Sequence, residues 1–144
     1  MAEAADEDAD WREFRLQSVA RVANALCERI RSHNLRAACA VFPTPQIASQ
    51  LVRQDWQQFR LDLALPMLYH SFYNEPSEWA TACAEQAAAQ TQQRIPLAPG
   101  IHLPDSTAES LPAELERLRS TSPAGIGLFC DDDITPAMLE RLRQ

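Results

Sequence analysis

The stretch Leu61-Asp-Leu-Ala-Leu-Pro-Met-Leu-Tyr69, followed by His70-Ser-Phe-Tyr-Asn-Glu-Pro76, decides the fold class. Nine mostly apolar residues are too short for a typical helix and match a strand covered on both faces. Pro66 inside it removes a ladder donor, so the strand is expected to bend or bulge there. The turn-rich segment behind it opens into the alanine-rich run 77–92, which reads as a helix. A buried strand feeding a helix is one βα unit.

Working outward, the same unit recurs. Arg36-Ala-Ala-Cys-Ala-Val-Phe42 reads as a strand. Thr44-Pro45 then opens a helix carrying Ile47, Leu51, Val52 and Trp56 to about Phe59, because threonine suits the N-cap and proline loses no needed donor at the first turn. Ile95 to Leu103 is a third strand, and Ser106-Thr-Ala-Glu109 has the form of a capping box for a helix reaching Arg119. Gly125 to Phe129 is the last strand, and Thr135-Pro136 starts a terminal helix.

Ahead of the first strand, residues 11–33 form the clearest helix. Val19, Val22, Ala23, Leu26 and Ile30 share one face of a 3.6-residue repeat, with Asp10 and Glu13 in capping-box spacing and Asn34 at the end. The expected order is α followed by four βα units, hence an α/β fold with parallel strands. A small doubly wound sheet and half of an eight-fold barrel both fit. No GxGxxG or P-loop follows a strand, so no nucleotide or other cofactor is expected.

The 144 residues suffice for one hydrophobic core. The net charge of −7 is concentrated at the start, where Glu3, Asp6, Glu7, Asp8 and Asp10 face no base. Without them fifteen acids stand against thirteen bases, all arginine. Residues 1–10 therefore read as a disordered acidic tail, and 11–144 as the folded domain. A nearly neutral body without a basic stripe argues against nucleic acid. No apolar run is long enough to span a bilayer, and the acidic start is no signal peptide, so the expected site is cytoplasmic unless a longer precursor is exported. Cys27, Cys39, Cys83 and Cys130 have no metal-site spacing and read as reduced thiols.

Several segments resemble the C-terminal half of a bacterial glycosyl-hydrolase-like TIM barrel, the family 10-like glycosylhydrolases. They are Trp11-Arg-Glu-Phe-Arg-Leu-Gln-Ser-Val-Ala-Arg-Val22, Ala38-Cys-Ala-Val-Phe-Pro43, Gln54-Asp-Trp56, Leu61 to Tyr69, Pro99-Gly-Ile-His102 and Gly125-Ile-Gly-Leu-Phe129. The resemblance covers residues 11 to about 143. It implies a parallel-stranded partial (half) TIM barrel, made of the helix after the fourth strand and the fifth to eighth strands with their helices. In that family acidic residues at the fourth strand are thought to lie in the active site. That strand would precede Trp11, so their chemistry does not carry over, and whether this chain is an enzyme stays open.

Barrels carry function where strands run into the next helix. On that edge Tyr69, His70, Tyr73, Asn74, His102 and Asp105 are the candidate substrate contacts: aromatic faces stack on sugar rings and the polar groups bond hydroxyls. Hydrolysis needs paired carboxyl groups, and Glu75, Asp131 and Asp132 are the candidates. The Asp131–Asp133 run can equally be a solvated turn at a helix start. Two histidines with Asp131 or Asp132 are too weak a pattern for a metal site. A half barrel would expose two strand edges and one apolar face, so the expected partners are a carbohydrate ligand and either a second copy or a chain supplying the missing half. The alternative is a non-catalytic remnant or interaction module that kept the scaffold.

Overall fold

A computed structural model describes residues 8–121 and 124–143. The elements are α1 (Ala9–Arg31), β1 (Ala38–Val41), α2 (Pro45–Val52), β2 (Leu63–Pro66), α3 (Glu78–Gln90), β3 (Gly100–His102), α4 (Leu111–Arg119), β4 (Gly127–Phe129) and α5 (Pro136–Leu142). This is a mixed α/β fold with short parallel strand pairs and no closed barrel among the described residues. No described helix is long and apolar enough to cross a membrane.

β1 pairs with β2 from Ala38–Leu63 to Val41–Pro66, and β3 pairs with β4 from Gly100–Gly127 to His102–Phe129. Between the pairs only isolated parallel bridges form, at Ala64–Leu97 and Met67–Gly100. Proline explains this seam. Pro66, Pro96 and Pro99 cannot donate to a ladder, though Pro96 and Pro99 still accept: Ala64 N donates to Pro96 O at 2.9 Å and Gly127 N to Pro99 O at 2.9 Å. The expected strands 95–103 and 125–129 accordingly shrink to three residues each.

Alternation sets the two faces. Ala37, Val41, Ala64, Leu68, Ile101 and Leu103 are buried in two core clusters with residues of all five helices. The opposite set, including Ala38, Ala40, Leu63, Leu65, Met67, Tyr69 and Phe129, belongs to neither cluster. The helices therefore cover one face of the strands. On the other face Gly100 and Gly127 stand side by side, and Tyr69 lies over Gly100: a Cβ there would meet Tyr69 Cε1 at 3.3 Å.

Three local expectations need correction. The cap of α1 is Asp8, which accepts from Asp10 N at 2.9 Å and Trp11 N at 3.1 Å, so the helix starts before Asp10 and takes in residues assigned to the tail; positions 1–7 lie outside the described residues. The helix α2 stops at Val52 rather than near Phe59. Arg53 turns left-handed (φ 59°), and Trp56–Gln58 forms a separate 3₁₀ turn. The reason is the Trp56 indole, which is fully buried and donates to Phe42 O at 3.1 Å, a position a continuing helix would not reach. The box at Ser106–Glu109 also fails. Thr107 and Ser110 bond each other's backbone N–H instead, at 2.9 and 3.1 Å, while Ser106 Oγ donates to Glu114 Oε2 at 2.7 Å.

The face of α1 turned inward also differs. Ala20 and Cys27 are buried with Ala23 and Ile30 beside them, whereas Val19, Val22 and Leu26 are exposed. Short side chains let the helix settle closely on Trp56, Phe59 and Leu61, which rotates it roughly a quarter turn from the stripe that periodicity selects.

The Thr44-Pro45 start holds: Thr44 Oγ1 accepts from Ile47 N at 3.1 Å, and Thr44 is fully buried. Thr44→Ala is expected to lower stability by about 1–2 kcal/mol, read as a shifted urea midpoint, with Thr44→Ser keeping most of it. Equal midpoints for wild type and Thr44→Ala would show that the cap contributes nothing.

Candidate functional site

At the C-terminal ends of β2, β3 and β4 the register brings three rings into one cross-strand row, folded into a triangle by Tyr69 leaning back toward Phe129. His102 pairs with Phe129 across β3–β4, and Tyr69 stands two residues beyond the Met67–Gly100 bridge. Ring centroids are 5.5 Å apart for Tyr69–His102, 5.6 Å for Tyr69–Phe129 and 6.3 Å for His102–Phe129, the last two stacked. Phe72 meets His102 edge-on at 4.8 Å and Tyr69 at 5.6 Å. Phe72 is 65% exposed and Phe129 53%, so the row offers apolar ring faces to solvent. An apolar hollow of about 370 Å³ adjoins it, lined by Phe42, Met67, Tyr69, Phe72 and Tyr73.

Beside the row, Asp105 gathers polar groups from two strand ends. Ser71 Oγ donates to Asp105 Oδ2 at 2.7 Å, His70 Nε2 lies 3.9 Å from the same oxygen, and His102 Nδ1 lies 3.2 Å from Oδ1. The His102 contact is close enough to favour the anion but too bent to satisfy the buried Nδ1, which has no hydrogen-bond partner. Burial pushes the Asp105 carboxyl up. The Ser71 bond and the facing His102 and His70 outweigh it and hold the group below its ordinary value. Asp105 is therefore ionised at neutral pH, an acceptor and an electrostatic anchor rather than a proton donor. His70 Nδ1 lies 2.9 Å from Glu75 O. A carbonyl only accepts, so Nδ1 carries a proton and the ring is held with Nε2 toward Asp105. A cavity of about 20 Å³ opens behind these groups toward Ser106, Glu114 and Arg117, room for about one water molecule.

Of the residues expected from sequence, Tyr69, His70, His102 and Asp105 come together here. Tyr73 turns to Trp79 at 4.9 Å, and burial raises its hydroxyl as it does that of Tyr69. Asn74 closes the turn in the left-handed region (φ 56°), a conformation its side chain tolerates. Glu75 is exposed and engages His70 through backbone groups. Asp131 and Asp132 lie on an exposed 3₁₀ turn, and no contact joins them to Glu75 among the described residues. Their oxygens and Cys130 Sγ fall within 4.8 Å of one another. One thiol and two solvated carboxylates are a common surface arrangement and a mixed donor set for any metal.

Sequence reading left out Phe129 and Ser71. Phe129 is detectable only from register, since its row partner His102 is 27 residues away. Ser71 is found only once the 3₁₀ turns His70–Tyr73 and Leu103–Asp105 sit side by side. The cysteines are all free. Burial raises the thiol of Cys39 and pushes that of Cys83 up to about 11, so neither is a ready nucleophile. Comparison with protein-family models matches no family, and none of the curated proteins matches the chain either.

Proposed function

We propose that this chain is one half of a glycoside-hydrolase-like (β/α)₈ barrel whose strand ends bind carbohydrate. Parallel strands in chain order with helices on a single face support the half barrel, because a doubly wound sheet carries helices on both. The uncovered face then corresponds to a barrel interior, closed by a second copy or by a chain supplying the missing strands. The observation that carries the carbohydrate reading is the Tyr69–His102–Phe129 row beside the ionised Asp105. It combines exposed apolar ring surface for the C–H face of a sugar ring, at Phe129 and the neighbouring Phe72, with a charged acceptor for its hydroxyls. Hydrolysis would fall to Glu75, Asp131 and Asp132 only if closure brings two of them within the separations that glycosidases use.

The test is an NMR titration of the full chain with a panel of neutral oligosaccharides. Expected are shifts confined to the row and the two 3₁₀ turns, with Phe129→Ala weakening binding about tenfold, in line with a loss of ~1.4 kcal/mol. A panel that moves no resonance of the row sinks the reading. The exposure of Glu75, Asp131 and Asp132 favours a second reading, a binding scaffold without hydrolytic chemistry. Binding without turnover in wild type, unchanged in Glu75→Gln and Asp131→Asn, separates the two.

A further inference from the structure

Both flanks of the strand set carry a helix. α1 precedes β1 and α5 follows β4, so the four strands come with five helices. Each flanking helix is tied to the core: Ala20 and Cys27 of α1 are buried in the first cluster and Met138 of α5 in the second. Beside each of them a strand edge stands open. Among the described strands β1 pairs with β2 alone and β4 with β3 alone. On β1, Ala37 O and Val41 O accept from Asp62 N and Met67 N. The alternate residues Ala38 and Ala40, both exposed, therefore turn their backbone N–H outward. The open ladder ends at Phe42, whose N–H donates to Gln54 Oε1 at 3.0 Å and whose C=O accepts from Trp56 Nε1 at 3.1 Å. An apolar hollow lined by Val19, Val22, Leu26, Cys39 and Phe59 borders α1 and this edge together.

We infer that the occupant of these two edges is a segment of four strands and three helices in the order βαβαβαβ, its last strand beside β1 and its first beside β4, and not a second copy of this chain. On the half-barrel reading above, a closed barrel alternates eight strands with eight helices, one for each seam between neighbouring strands. Two copies would bring eight strands and ten helices. At both new seams the α5 that trails β4 of one copy and the α1 that leads into β1 of the other would take the same place. Buried side chains hold each of them there. A βαβαβαβ segment adds four strands and three helices, and the totals become eight and eight. Its last strand continues the β1–β2 ladder, parallel to β1 and bonded at Ala38 and Ala40. The outward side chains of that strand and the last helix of the segment fill the hollow along Val19, Val22 and Leu26. At the other seam its first helix covers Leu139 and Leu142, which are exposed on α5.

A segment of that count can be taken from the chain itself, since residues 35–130 hold β1 to β4 with α2 to α4 between them. Placed ahead of the full chain in one tandem polypeptide, it is expected to give a monomer with a single urea transition at a higher midpoint. In its full-chain half the Ala38 and Ala40 amides are expected to exchange on the order of 100-fold more slowly than in the full chain alone. Ala40→Pro in that half is expected to undo the gain and to leave the full chain alone at its own midpoint, because the lost donor faces only the seam. Two complete chains in tandem, with ten helices, are expected to leave both amides fast. Equal protection in the ten-helix tandem, a full chain that dimerises by itself with both amides slow, or a gain that survives Ala40→Pro overturns the choice of occupant and leaves the half barrel standing. Fast exchange in both tandems overturns the half barrel as well.

Discussion

Trp56→Ala is expected to cost about 4–6 kcal/mol and to leave the chain largely unfolded at 37 °C. The indole is completely buried between the end of α2 and the lead into β2, within the cluster that also holds Val41, Ala48, Phe59, Ala64 and Cys27. Truncating a buried aromatic removes its transfer free energy and leaves a cavity, typically about 3–5 kcal/mol. Here it also strips Phe42 O of the indole N–H that donates to it at 3.1 Å, at a further ~1 kcal/mol or more for a partly buried carbonyl. Domains of this size hold about 5–15 kcal/mol in total, so the loss removes a large part of the margin. Trp56→Phe keeps most of the volume and loses the hydrogen bond, so its expected cost is nearer 2 kcal/mol. Urea denaturation followed by circular dichroism reads both. If Trp56→Ala unfolds within 1 kcal/mol of wild type, the first core cluster does not hold β1 and β2 to the helices.

Trp56 also marks where sequence reading loses its grip. Its spacing from Leu51 and Val52 is helical, so periodicity extends α2 to it, whereas the structure ends α2 at Val52 and swings the indole back to β1. Periodicity reports which side chains need burying, and the partner that buries them is a tertiary fact. The same limit appears in α1, where Ala23 and Ile30 of the expected face do pack, but the larger Val19, Val22 and Leu26 stay exposed and the smaller Ala20 and Cys27 take the contact. The missing donor of Pro66 was legible from composition, whereas Pro96 and Pro99 were read as lying inside one strand from Ile95 to Leu103 and instead leave only Gly100–His102 as β3. Threonine caps were equally legible at Thr44 and Thr135, each of which accepts from the N–H three residues on. Half of the site was visible in the same way: Tyr69, His70, His102 and Asp105 stand at strand ends. Phe129 and Ser71 were not, since no local pattern distinguishes them until register and turn geometry place them beside His102 and Asp105.

Asp105→Asn is expected to lower stability by about 2 kcal/mol at pH 7, and the gap between variant and wild type is expected to close in acid. The carboxylate receives the Ser71 hydroxyl and faces two imidazoles at 3.2 and 3.9 Å. An amide keeps the shape, but it loses the charge that both rings stabilise and turns an NH₂ toward one of them. Because the folded group sits below its ordinary value of about 3.9, its contribution is complete above that value and disappears as pH falls through the folded one. Asp62 behaves alike, held down by Arg31 and by the Ala37 N–H, so the variant should retain part of the acid-side slope while wild type shows more. Denaturation midpoints at pH 7, 4 and 3 supply the measurement. A gap that stays constant across that range would mean that Asp105 acts through shape alone, and the row of rings beside it would have to be held by packing without an electrostatic anchor.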